Sequence, residues 1–324
     1  MTLTPVTPSP VARPPALGVS AVANPPATLQ PGGFSQVRGL LIAARPRQWV
    51  KNLLVLAAPV LAGVALHPGP LMASIGAVLA FTLAASGTYL INDARDVAAD
   101  RLHPVKRTRP VAAGVVSARM ASFSGLGALA MGLGLGLAIA PMLGLVIAIY
   151  GVVSVSYSVW LKHLAIVELA IVVSGFILRT WAGAEAGRVG LSNKFLAVAC
   201  AGSLFVVVGK RSAEQIQLGA LAGQHRRSLA AYSPRFLTWL RLSALFLTIA
   251  AYAAWAVLKV TPSGHSPVWF DLSLLPFLAA LVRYESCASS GRGGSPEEIM
   301  LSDRWFGVFG VAWAFTVLMG LYGP

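Results

Sequence analysis

Two long uncharged runs dominate the hydrophobic pattern. Forty-one residues separate Lys51 from Asp93 without a charge, interrupted by His67-Pro68-Gly69-Pro70. Another 42 separate Arg119 from Lys162, interrupted by Pro141. A helix needs about 20 apolar residues to cross the hydrocarbon of a bilayer, so each run predicts two spans joined by a tight external turn. Backbone polar groups in lipid must be satisfied within their own segment, which favours helices over buried strands. Further apolar segments lie at about 164–184, 194–212, 236–258, 270–284 and 304–322, of which 270–284 is the shortest. The expected architecture is an all-α integral membrane protein with nine transmembrane helices. Small residues in Gly125–Gly136 suit close packing between spans.

Composition agrees. Of 324 residues, 56% are apolar and only 11% charged, against about 25% charged in a soluble domain. A soluble globular enzyme and a disordered chain are both excluded. The tail, residues 1–37, differs: it holds eight prolines and a single charge, Arg13. It cannot bury enough apolar surface to order itself, and it lacks the basic start and compact apolar core of a signal peptide. It reads as a disordered tail, leaving 38–324 as the membrane-embedded catalytic domain.

The chain carries 25 Lys+Arg against 11 Asp+Glu. Assigning loops alternately puts 21 of the 25 basic residues on one side, with Arg188, Lys194 and Lys259 opposite and Arg179 inside a span. Basic residues gather in cytoplasmic loops. The excess therefore places the N-terminus and the charged loops in the cytoplasm of a multi-pass plasma-membrane (bacterial inner-membrane) protein, with no nucleic-acid partner. Cys200 and Cys287 form no disulfide framework or metal spacing, and His67, His103, His163, His225 and His265 show no ligand spacing. Trp49 and Trp160 suit the membrane interface.

The scarce acids carry the chemistry. Asp93, Asp96 and Asp100 are spaced i, i+3, i+7, one face of a helix. Three like charges on one face need a cation, and hard oxygen ligands suit Mg²⁺, which takes one or two carboxylates and completes its shell with water and phosphate. His103, Lys106, Arg107 and Arg109 follow at once, so an acidic face adjoins a basic loop, as a diphosphate requires. The plainer alternative is a helix end whose acids pair with Arg95, Arg101 and Lys106 at headgroup level.

The run Asn92-Asp93-Ala94-Arg95-Asp96-Val97-Ala98-Ala99-Asp100 resembles the first aspartate-rich motif of the UbiA superfamily of intramembrane prenyltransferases. Arg45-Pro46-Arg47-Gln48-Trp49-Val50-Lys51-Asn52, Lys106-Arg107-Thr108-Arg109-Pro110 and Tyr157-Ser158-Val159-Trp160-Leu161-Lys162 are similar to its flanking segments, extending the likeness over 45–322. The resemblance implies nine helices around a central cavity with a cytoplasmic cap. One motif departs. Ordinary members hold a second metal with D-x-x-x-D after the sixth span; here the stretch is Gly209-Lys210-Arg211-Ser212-Ala213-Glu214. Lys and Arg bind phosphate directly, although both could serve only the basic-loop bias. A Lys-Arg-x-x-Glu motif, with Gly175–Gly183, resembles the branch that joins 5-phosphoribosyl 1-diphosphate to decaprenyl (polyprenyl) phosphate, feeding cell-wall arabinan synthesis.

That resemblance implies an Mg²⁺ site of Asn92, Asp93, Asp96 and Asp100, with catalysis resting on Asp93, Asp96 and Lys210. Lys51, Lys106, Arg107, Arg109, Lys162, Lys210 and Arg211 are the candidate phosphate ligands. Tyr157 is a candidate for a phosphate or ribose hydroxyl, and Glu214 for a ribose hydroxyl or for partnering Lys210. Glu168 is expected to orient Lys162, and Arg179 to pair with Glu185 on the outer side. A homo-oligomeric assembly is left open. The rivals are an aromatic prenyltransferase using a prenyl diphosphate and a non-enzymatic transporter.

Overall fold

The computed structural model describes residues 33–103, 105–161, 164–219, 229, 231–258 and 268–323. Among these the regular structure is entirely helical. Residues 1–32 of the expected tail lie outside that range, and the described chain begins in helix α1, Gly33–Ala43, which overlaps the expected boundary at 37.

Seven helices among the described residues are long and apolar enough to cross a membrane: α3 (Pro68–Arg95), α5 (Ala118–Ile139), α6 (Pro141–Val159), α7 (Ala165–Gly187), α8 (Asn193–Leu218), α9 (Pro234–Val257) and α12 (Arg304–Tyr322). The helix α10, Val268–Ser289, occupies the expected 270–284 span and carries Pro276 inside it. Local chemistry marks where several begin. The side chains of Ser117, Ser192, Ser233 and Asp303 each accept a hydrogen bond from the backbone N–H three residues on, the N-cap arrangement those residue types favour. Pro68 and Pro141 start α3 and α6, where a missing N–H costs nothing.

The first expected span is not a straight helix. It is a 3₁₀ segment, Pro46–Leu56, followed by a five-residue helix α2, Ala57–Leu61. Arg45 precedes it with φ +56°; a residue before proline is driven out of the right-handed helical region. Gly63, with φ +77°, ends the unit. The 3₁₀ segment lies backbone-to-backbone on α7: a Cβ at Gly183 would meet the Val55 carbonyl oxygen at 1.8 Å. The α3–α5 pair is equally close, for a Cβ at Gly125 would stand 2.8 Å from the Gly87 carbonyl.

Five buried apolar clusters hold the described bundle, and two of them flank the site. One joins Val55, Phe81, Ile147, Tyr150 and Leu178; the other joins Phe205, Ala244, Tyr284, Cys287 and Ile299. Successive helices pack side by side, so the C-terminal ends of α3, α6, α8 and α10 meet the N-terminal ends of their neighbours. Two short helices, α4 (Val97–Leu102) and α11 (Pro296–Ser302), lie at this end: α4 packs against α3 and the Lys106–Thr108 turn, and α11 against α12 and the 3₁₀ segment.

Candidate active site

The acidic motif spans a break. The helix α3 stops at Arg95, Asp96 stands at the junction, and α4 carries Asp100. The break still brings two acids together. Arg109 Nη1 lies 3.2 Å from Asp93 Oδ1 and 2.8 Å from Asp100 Oδ2. Arg45 Nη2 reaches the same Asp93 oxygen at 2.5 Å. Both carboxylates are buried, at 2% and 4% exposure. Two hard oxygens thus converge on one point now neutralised by guanidinium groups, a donor set that fits Mg²⁺. Among the described residues no three acid, His or Cys side chains form a metal-sized group, so an ion held here would complete its shell with substrate oxygens and water. Asn92 and Asp96 are half-buried beside Asp93.

The basic loop is divided in its placement. Lys106 and Arg107 sit on the 3₁₀ turn Lys106–Thr108, the first half-buried and the second exposed. Arg109, just beyond it, folds back onto the acids.

Beside the acids lies a second constellation. The Arg45 guanidinium stacks 4.8 Å over the Tyr89 ring, and Tyr89 also lies within electrostatic reach of Arg179 and Glu297. Glu297, on α11, is only 5% exposed. Its Oε2 is 3.2 Å from Lys51 Nζ, and its Oε1 accepts a short hydrogen bond from Gln48, whose own Oε1 accepts from Lys51. The half-buried Lys210, near the end of α8, feels both Lys51 and Glu297. Burial pushes the Glu297 carboxyl up, but Lys51, a backbone N–H, Gln48 and Lys210 together outweigh burial and hold it below the usual range.

Arg179 lies within electrostatic reach of Lys51 and Tyr89. It is 6% exposed. Nε donates to Asn52 Oδ1 at 2.8 Å, Nη1 to the Gly175 carbonyl at 2.6 Å and Nη2 to the Tyr150 hydroxyl at 3.3 Å. Its guanidinium stacks on Phe81 and Tyr150, 5.4 and 5.0 Å from the ring centroids. The expected pair with Glu185 does not form: Glu185 accepts from Trp181 instead. The planar guanidinium finds inward-facing aromatic and amide partners one turn or more from Glu185.

Other expectations change too. Arg211 points away from Lys210, into an ion pair with Glu168 at 2.7 Å and a short one with Glu214. Glu168 holds Arg211; its expected partner Lys162, with His163, His225 and His265, lies outside the described residues. Glu214 serves Arg211 by hydrogen bond and Lys210 only through space. Tyr157 lies within electrostatic reach of Arg211. Trp160 is exposed, as suits an interface, whereas Trp49 turns inward and donates to the Ala44 carbonyl and Ser86 Oγ, both at 3.1 Å.

The model of the UbiA prenyltransferase family matches residues 54–306. The chain belongs to that family. Curated relatives include the decaprenyl-phosphate phosphoribosyltransferase of Mycolicibacterium smegmatis, 41% identical over 88% of this chain and 93% of the relative. The protein of that name from Corynebacterium glutamicum is 39% identical over 88% and 87%. Among solved structures, a UbiA homolog from Archaeoglobus fulgidus bound to GPP and Mg²⁺ aligns with TM-score 0.65 at 17% identity, covering 87% of this chain and 98% of that one. This likeness establishes the UbiA fold, a multi-pass membrane bundle. Sequence reasoning missed Arg45, Gln48, Asn52, Tyr89 and Glu297. The Arg45–Asn52 stretch was visible as a motif, but only its Lys51 carried an expected role.

Proposed function

We propose that this protein transfers the 5-phosphoribosyl group of 5-phosphoribosyl 1-diphosphate to decaprenyl (polyprenyl) phosphate, releasing diphosphate, as a step toward cell-wall arabinan. Similarity to phosphoribosyltransferases of that name over nearly the whole chain carries this reading. The geometry agrees with it: beside the acid pair Asp93 and Asp100, the bundle sets two half-buried lysines, Lys51 and Lys210, within electrostatic reach of each other, instead of a second acid pair. The concentration of 21 of 25 basic residues at one end supports a cytoplasmic N-terminus and active site.

Asp93, Asp100, Asn92 and Asp96 would hold Mg²⁺, which supplies positive charge to the departing diphosphate. Arg45 and Arg109 hold the Asp93 and Asp100 carboxylates convergent. Arg109, Lys106 and Arg107 then face the diphosphate, and Lys51 and Lys210 serve the remaining phosphates of donor and lipid. Departure leaves oxocarbenium-like character at C1, as in glycoside chemistry. The lipid phosphate oxygen attacks the opposite face. It is already anionic, so no strong general base is needed, and catalysis is positioning and charge stabilisation. Attack from the opposite face inverts C1.

Diphosphate release from 5-phosphoribosyl 1-diphosphate by the purified protein tests the reading. Release that requires added polyprenyl phosphate and yields an inverted product is expected. Release indifferent to the lipid, or retention at C1, would overturn this mechanism.

A further inference from the structure

Glu297 is out of place in a pocket built only for anions. It is buried, ionised and set against Lys51, within electrostatic reach of Lys210. A carboxylate repels phosphate, so it weakens the site for a donor made of diphosphate and hydrocarbon. A donor that carries hydroxyl groups between its phosphates changes the balance, because a carboxylate is an acceptor of two or more hydroxyl hydrogens. Such bonds to a charged acceptor are about twice as strong as neutral ones.

The carboxylate keeps the capacity for this. Oε1 accepts from Gln48, and Oε2 contacts Lys51 Nζ at 3.2 Å and accepts no other hydrogen bond among the described residues. Each carboxylate oxygen has two lone-pair sites, so acceptor capacity remains. Position agrees as well. Gln48, which bonds Glu297, follows Arg45, which holds Asp93, by three residues, so the carboxylate stands on the same segment as the group that holds the acids. Glu214, the acid expected to take this part from sequence, is turned to Arg211.

We infer that Glu297 is a specificity-determining residue that accepts hydrogen bonds from the ribose 2- and 3-hydroxyls of the donor, while Lys51 and Gln48 hold its carboxylate in place. This rests on the phosphoribosyl reading proposed above. It gives the enzyme a means of preferring a sugar diphosphate over a prenyl diphosphate, which has no hydroxyl to offer.

The test measures inhibition by a stable carbocyclic analogue of 5-phosphoribosyl 1-diphosphate and by its 2-deoxy and 3-deoxy forms. For the native protein at least one deoxy form should bind about 10- to 100-fold more weakly, the range for a hydrogen bond to a charged group. In Glu297→Ala that ratio should fall to near 1. In Glu297→Gln, which keeps the shape and a neutral acceptor, it should fall to a few-fold. The Gln variant decides the matter if the Ala variant does not fold. Ratios unchanged from native in the variants, with intact and deoxy forms shifted equally, would mean that Glu297 only balances the two lysines, and the inference would fall alone. A native protein that binds no carbocyclic analogue would overturn the phosphoribosyl reading and this inference together.

Discussion

Arg179 and Asn52 are hydrogen-bonded at 2.8 Å across 127 positions of the chain. The bond ties α7 to the 3₁₀ segment, and the next residue back along that segment is Lys51. A guanidinium donor left facing an apolar wall loses its desolvation compensation. Replacing Asn52 with Leu is expected to lower stability by about 1.5–3 kcal/mol, the range for a hydrogen bond to a charged group. A thermal unfolding series in detergent checks this. An unchanged midpoint would show that water or another group satisfies Arg179 just as well.

The buried pair Arg211–Glu168 is a structural tie between α8 and α7, both side chains being 4% exposed or less. Removing one partner of a buried pair leaves an uncompensated charge, which costs about 3–5 kcal/mol. Glu168→Gln should therefore destabilise the bundle near the lower end of that range, because Glu214 still pairs with Arg211. Donor affinity in whatever fraction folds should stay close to native. A variant of native stability with weakened donor binding would return Arg211 to the phosphate site.

Asp93 is the acid shared by Arg45 and Arg109. Asp93→Asn keeps the shape but removes the charge that would hold a divalent ion. Turnover should fall at least about 100-fold, the loss typical of removing one group that stabilises developing charge. Chelation of divalent ions should silence the native protein to a similar degree, and added Mg²⁺ should restore it. Near-native activity in the variant would remove Asp93 from the metal site.

Glu297 sets an acid limit. Its carboxyl is held below the ordinary glutamate value by Lys51, Gln48 and Lys210 despite burial. A carboxyl depressed on folding contributes stability that is complete above its unfolded pKa and lost as pH falls through its folded one. Asp303 adds to this: a hydrogen bond from Arg283 and backbone N–H donors hold it at about 2. Melting temperature should thus stay level from neutral pH to about 5 and fall below about 4.5. Glu297→Gln should lose part of that slope, with the Asp303 part remaining. Identical slopes in the two proteins would refute the assignment.

Much of this was legible beforehand because charge-free length is a strong signal. Span limits follow from where Lys51, Asp93, Arg119 and Lys162 interrupt apolar runs, whatever the packing. The convergence of Asp93 with Asp100 was legible from spacing, though the helix breaks between them at Asp96. The roles of Lys210 and Arg211 were not separable. Adjacent residues on a helix point about 100° apart, so Lys210 comes within electrostatic reach of Lys51 and Glu297 while Arg211 pairs with Glu168, and only the packed bundle says which. Arg179 was misassigned because sequence distance favoured Glu185, six residues on, over Asn52, far back in the chain. Glu297 gave no signal, since an acid after a proline at a helix start is ordinary.

The most direct measurement incubates the purified protein with ribose-labelled 5-phosphoribosyl 1-diphosphate, decaprenyl phosphate and Mg²⁺, then extracts the lipid. The account predicts label in the lipid fraction, matched by released diphosphate and abolished in Asp93→Asn. An unlabelled lipid fraction, alongside turnover of a prenyl diphosphate with an aromatic acceptor by the same preparation, would contradict it.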